Sequence, residues 1–92
     1  MSSLSASADM LAFASHVKSF VPGRVRVRHP ALRHREVAVE SRRMLMSRPG
    51  VKDVEVNLLA GSALIRYDPV AVSRDELVAR GIEWCRWLDT RA

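Results

Sequence analysis

The sequence predicts an α+β domain of the ferredoxin-like type, in which two helices cover one face of a small antiparallel sheet. Residues 24–28 alternate arginine and valine with the period of two that a half-buried strand requires. Two more alternating runs, 51–57 and 62–67, flank a short glycine-containing turn and predict a hairpin. Helical apolar patterns lie on either side of this hairpin along the chain.

The N-terminal segment carries the weakest signals. Residues 1–10 are rich in serine and alanine, which predicts a disordered tail ahead of a single domain over 11–92. The tail has no basic region of the signal-peptide kind, and the chain has no long apolar run, so no membrane span and a cytoplasmic location are expected. The stretch from His16 to Val21 is strand-like, but Asp9 equally suits the cap of a short helix through Ala14.

The first clear strand runs from Arg24 to Arg28. Pro22-Gly23 before it predicts a hairpin turn, a bulge or a bend. The alternation turns Val25 and Val27 towards a core and Arg24, Arg26 and Arg28 outwards. Pro30 ends the strand because proline cannot donate a hydrogen bond to a sheet.

A helix is predicted from Leu32 to Arg48. Ala38, Ser41 and Leu45 recur at spacings of three and four residues and form its buried side. Pro49-Gly50 ends it.

In the hairpin, Ala63, Ile65 and Tyr67 are predicted on the core face, with Leu64 and Arg66 on the other. Because Ser73 and Glu76 form a capping box, the last helix begins at Arg74. We extend this helix to about Asp89; a rival interpretation ends it at Gly81 and makes 82–88 a final strand. If the helix continues, the fourth strand must come from residues 11–20 or from a second subunit.

Several of these residues together resemble a known family. The run Gly50-Val51-Lys52-Asp53-Val54-Glu55-Val56-Asn57 and the run Ala63-Leu64-Ile65-Arg66-Tyr67-Asp68-Pro69 look like the second half of a heavy-metal-associated domain. With residues 22–28 and 31–32, the chain resembles a cysteine-free branch of that family, as found in N-terminal domains of heavy-metal P-type ATPases. The resemblance implies the fold, a place in metal-ion transport, and a P-type metal ATPase as the kind of protein partner.

The chain departs from the family where its copper- and zinc-carrying members have two cysteines. Residues 29–34 read His-Pro-Ala-Leu-Arg-His, and the only cysteine, Cys85, lies far away on the last helix. Two histidines suit a divalent transition metal if other groups complete the shell, so His29 and His34 are candidate ligands. Arginines around them oppose a dication, and exposed loop histidines are the simpler interpretation.

The arginine strand is the principal candidate for an interaction surface, since the formal net charge is +5. The outward arginines are interpreted as a solvated face balanced by Asp53 and Glu55, as a docking face for an acidic protein or a twin subunit, or as an anion or nucleic-acid site. The nucleic-acid interpretation is the weakest because the outward positions lack aromatic side chains that stack on bases. The candidate interaction residues are Arg24, Arg26, Arg28, Arg66, Trp84 and Trp87.

No catalytic arrangement is evident, since the sequence lacks a nucleophile triad, a paired acid cluster and a phosphate-binding glycine loop. We therefore expect a non-enzymatic docking or regulatory domain of a metal-transport or metal-storage system, with a homo-dimer as one expected assembly. Direct metal binding through His29 and His34, and weak anion or nucleic-acid binding, are the alternatives.

Overall fold

The computed structural model describes residues 3–92, with side chains described from residue 8 onward. Along the chain, two antiparallel pairs of strands are separated and flanked by helices. The elements are α1 (Ser3–His16), β1 (Val17–Val21), β2 (Arg24–Arg28), a 3-10 turn (Pro30–Arg33), α2 (Arg35–Met46), β3 (Val51–Asn57), β4 (Ser62–Tyr67) and α3 (Arg74–Asp89).

The four strands form one antiparallel sheet in the order β1-β2-β4-β3. This confirms the ferredoxin-like α+β prediction. The N-terminal segment supplies the edge strand that the sequence left open, because β1 pairs with β2 and not with a strand from the C-terminus. Pro22 and Gly23 connect these two strands as a two-residue hairpin turn, in which Gly23 has a φ of +88°. Proline followed by a residue with positive φ is the pattern of a type II turn.

Helix α1 is an addition to the two-helix layer that the sequence predicts. It begins at Ser3, inside the segment 1–10 for which a disordered tail is predicted. Its contacts with α3 account for the difference. Phe13 is buried, and its ring lies so close to Gly81 that a Cβ on that glycine would stand 2.3 Å from it. Asp9 adds an ion pair with Arg86 of α3.

The helix predicted from Leu32 to Arg48 is two elements in the structure. Its start is a 3-10 turn over Pro30–Arg33, and α2 begins only at Arg35. His29 causes the separation, because its side chain accepts a hydrogen bond from the amide of Ala31 and caps the 3-10 turn. His34 then takes an extended conformation, φ −89° and ψ 128°, which interrupts the helical path.

Helix α3 runs unbroken to Asp89, so residues 82–88 are helical and the interpretation as a final strand is wrong. The predicted capping box is present: the Glu76 amide donates to the Ser73 hydroxyl at 3.1 Å, and the Glu76 carboxylate accepts from the Ser73 amide. No helix in the part of the chain that the structure describes is long and apolar enough to cross a bilayer.

The core lies between the sheet and the helices. Its sheet side is made of the side chains that the alternation turns inwards: Val25, Val27, Val54, Ala63, Ile65 and Tyr67. The helix side includes Trp84, whose indole N–H donates to the hydroxyl of Ser41 at 3.1 Å. This bond pairs two polar groups that would otherwise be buried without a partner. It also joins α2 to α3 across the core.

Candidate functional site: the arginine face and the histidine cluster

The sheet face that points away from the helices carries the arginines of β2. Arg24, Arg26 and Arg28 are exposed, while the valines between them are buried. In β4, Arg66 stands opposite Arg24, and Leu64 stands opposite Arg26. We call Arg24, Arg26, Arg28 and Arg66 the arginine face.

The carboxylates of β3 do not reach the arginines of β2. Asp53 lies 3.7 Å from Arg66 and 3.8 Å from Arg42, and Glu55 lies 4.0 Å from Arg66. The sheet order explains this, since β4 separates β3 from β2 and neighbouring strands are about 4.8 Å apart. Among residues 8–92, no carboxylate forms an ion pair with the three arginines of β2. The sequence-based expectation that Asp53 and Glu55 neutralise the outward arginines is therefore wrong for the arginines of β2.

The arginine face adjoins an apolar surface. A shallow concavity of about 490 Å³ lies beside it, and Arg26 and Leu64 belong to its lining together with the turn between β3 and β4. Leu64 is almost fully buried at the base of this concavity, whereas Leu59 at the turn is 93 % exposed. Charge and apolar surface thus lie side by side, as they do where proteins dock.

His29 follows β2 directly and is buried, although the sequence favoured an exposed position. Its Nδ1 accepts the amide proton of Ala31 at 3.1 Å, so the ring proton must sit on Nε2. That Nε2–H donates to the Asp89 carboxylate at the end of α3, with an N···O distance of 2.8 Å. His29 therefore ties the loop after β2 to the last residue of α3 as a neutral imidazole of defined tautomer.

His16 completes a cluster with His29 and Asp89. Its Nδ1–H donates to the backbone carbonyl of Arg28 at 3.0 Å, which leaves a lone pair on Nε2. The rings of His16 and His29 lie 4.7 Å apart, and one ligating atom from each of the three residues lies within 4.8 Å of the others. We call these three residues the histidine cluster.

The structure does not bring His34 to His29. His34 is exposed at the break before α2 and lies outside the histidine cluster. Sequence reasoning missed His16 and Asp89 as neighbours of His29, because each ends a different helix and 60 residues separate His29 from Asp89. The one available signal was that all three stand at ends of predicted elements.

The two tryptophans have different environments. Trp84 is 3 % exposed, so the structure places it in the core and not on an interaction surface. Its N–H faces inwards, towards Ser41. Trp87 is half-buried, and the guanidinium of Arg91 lies 5.1 Å from its ring centroid. Only Trp87 remains available as a contact for a partner.

The single cysteine is a buried side chain of α3. Burial, and to a lesser extent the negative charge of Asp89, raise the pKa of the Cys85 thiol to about 12. A thiol in this state offers almost no thiolate, which is the form that binds soft metal ions. Since the loop 29–34 contains no cysteine, the residues of this chain do not fit a thiolate site for Cu(I).

One comparison with known proteins identifies the chain. The family model described as heavy metal associated domain 2 matches residues 12–84, which span β1 to most of α3. No curated protein and no solved structure matches the chain. The match covers well over half of the sequence. It includes β1, the edge strand that the N-terminal segment supplies in place of a strand at the C-terminus. The chain therefore belongs to the heavy metal associated domain 2 family.

Proposed function

We propose that this chain is a non-catalytic, cytoplasmic docking or regulatory component of a metal-ion transport or storage system. It captures an acidic surface of a partner protein through the arginine face. The family supplies the metal-related setting. The observation that supports docking most strongly is that Arg24, Arg26 and Arg28 have no carboxylate partner among the described side chains.

The geometry of β2 suits recognition of carboxylates. Alternate residues of a strand lie about 6.7 Å apart on one face, so the strand presents three guanidinium groups in a row with fixed spacing. Each guanidinium can bind a carboxylate through two parallel hydrogen bonds. Leu59, which is 93 % exposed and lines the same concavity as Arg26, provides apolar surface that a partner can cover beside such pairs.

The same charges decide between classes of partner. Two copies that met through their arginine faces would place like charges together, so a homodimer would instead use the exposed edge strand β1. Nucleic acid could contact the arginines only through its phosphates. The outward positions of β2 and β4, and the neighbouring Ser19 and Val21 of β1, include no aromatic side chain on which a base could stack. Such binding is weak and independent of base sequence. An acidic domain of a P-type metal ATPase is the partner that the family context favours.

A triple substitution tests the proposal. Arg24→Ser, Arg26→Ser and Arg28→Ser together remove the row, and Arg35→Ser, Arg48→Ser and Arg74→Ser remove the same charge from exposed positions outside the sheet. Binding to the soluble domains of the metal ATPase of the same cell is measured by calorimetry at about 50 mM and about 300 mM salt. We expect the first variant to lose binding and the control to keep it. Equal binding by both variants contradicts the proposal.

A further inference from the structure

We propose that the histidine cluster is a binding site for a divalent first-row transition metal ion of the zinc type, with His16, His29 and Asp89 as its three protein ligands. This site is separate from the arginine face and does not depend on the docking function. It also differs from the pair His29 and His34 that the sequence suggests.

The donor set determines the class of metal. Two imidazole nitrogens and one carboxylate oxygen are the ligands that Zn²⁺, Co²⁺ and Ni²⁺ take up in proteins, whereas Cu(I) prefers thiolates. Three protein ligands leave at least one coordination position for water or for a group from a partner. The single negative charge of Asp89 offsets half of the charge of the ion.

The second shell of His16 is already in place. Metal-bound histidines almost always donate their other ring N–H to a carbonyl or carboxylate. His16 does so through Nδ1 to the Arg28 carbonyl, with an N···O distance of 3.0 Å. This bond orients the ring and leaves Nε2 as the atom that accepts a metal.

The distances between the three ligating atoms are close to those of a zinc site. Ligands of one tetrahedral zinc ion lie roughly 3.3 Å from each other, given metal–ligand distances of about 2.0–2.1 Å. The ligating atoms here all lie within 4.8 Å of one another, and the Asp89 carboxylate is exposed at the end of α3 and free to adjust. His29 and Asp89 must separate slightly from their present 2.8 Å as the ion replaces the shared proton.

The nearby arginines do not block the ion. The sequence suggests that Arg28 repels a dication, but its side chain points to the open face of the sheet, whereas His29 is buried on the core side. Arg33 and Arg35 are exposed to solvent, which screens their charges.

Binding has a specific consequence for His29. In the metal-free protein its proton sits on Nε2 and its Nδ1 accepts from Ala31. Coordination through Nε2 requires that this proton leave Nε2 and that Nδ1 carry a proton instead. The Ala31 N–H and the Nδ1–H would then face each other as two donors, so the cap at Ala31 must open, which lowers the affinity of the site and gives it a spectroscopic signature.

The test uses tag-free full-length protein titrated with Zn²⁺ by calorimetry and with Co²⁺ by visible absorption. His16→Ala and Asp89→Asn each remove one ligand, and His34→Ala removes an exposed histidine of the neighbouring loop as a matched control. We expect one ion per chain, and a loss of affinity in both ligand variants greater than the roughly 10–100-fold loss that follows removal of a residue that only orients a ligand. The control should bind like the unmodified protein.

Nuclear magnetic resonance on nitrogen-labelled protein supplies a second readout. We expect Zn²⁺ to move the His29 proton from Nε2 to Nδ1 and to shift the Ala31 amide signal. If a variant of His29 itself is needed, His29→Asn keeps a side-chain acceptor for Ala31 and so preserves the cap. The proposal is overturned if Zn²⁺ does not bind, if all variants bind it equally, or if the His29 tautomer is unchanged by it.

Discussion

The two faces of the sheet differ in whether their side chains find partners within the chain. On the core face, Val25, Val27 and Tyr67 are at most 4 % exposed, and the buried polar pair Ser41 and Trp84 is hydrogen-bonded. On the open face, the arginines of β2 have no carboxylate partner in the described part of the chain. One strand thus contributes both to a completed core and to an exposed surface whose positive charge no described carboxylate neutralises.

The largest expected effect concerns Cys85 on the core side of α3. Because burial raises the pKa of its thiol from 9.0 to about 12, its thiolate population near pH 8 should be about 1,000-fold lower than in the unfolded chain. Alkylation by iodoacetamide, followed by mass spectrometry, should be slow in the native protein and fast in denaturant. Rapid native alkylation with the fold intact would contradict the packing of α3 described above.

Adjacent residues of β2 provide the most direct comparison of the faces. Val27→Ala removes side-chain volume from a position that is 1 % exposed and should lower the free energy of unfolding by about 2–3 kcal/mol. Arg26→Ala changes the exposed neighbour and should stay within about 0.5 kcal/mol. Denaturant titrations of both variants measure the difference. Similar losses would mean that both faces contribute to stability.

The buried polar pair of the core should respond to removal of one partner. Ser41→Ala leaves the Trp84 N–H without an acceptor, and we expect a loss of about 1–2 kcal/mol. Trp84→Phe removes the N–H but also buried volume, so Ser41→Ala should cost less in the Trp84→Phe background than in the unmodified protein. A double-mutant cycle from chemical denaturation measures the coupling. No coupling would show that the bond does not contribute to stability.

The smallest effect is expected at Arg66, the one arginine of the arginine face that is paired with carboxylates. Asp53→Asn removes the nearer of the two carboxylates beside Arg66, and because exposed ion pairs contribute little, stability should change by less than about 1 kcal/mol. The added positive field should raise the affinity for an acidic partner modestly. Calorimetry and denaturation on this one variant separate the two effects. Weaker partner binding would indicate that Asp53 is itself a contact.

Local patterns were sufficient to predict most of the fold. The alternation in β2 and the hairpin of β3 and β4 are as predicted, and the capping box at Ser73 marks the start of α3. These elements were predictable because period and caps are properties of short segments. Helix α1 was predicted only in part, as the alternative of a short helix from Asp9 through Ala14, because its full length depends on Phe13 and Asp9 contacting α3.

The candidate sites show the same distinction. The arginine face follows from the alternation of β2, but its uncancelled charge depends on β4 lying between β2 and β3. The histidine cluster needs the ends of α1, β2 and α3 to meet, and no local pattern encodes that meeting. The split of the predicted helix likewise follows from the side chain of His29, which competes with the helix as a cap.

The docking role proposed for the arginine face is capture of an acidic protein surface. The most direct measurement maps amide chemical-shift changes on nitrogen-labelled protein titrated with the soluble domains of the metal ATPase. We predict that the largest changes fall on β2 and on Leu64 and Arg66 of β4, and that they disappear when Arg24, Arg26 and Arg28 are serine. Changes confined to α2 and α3, or unaffected by that substitution, would contradict the account.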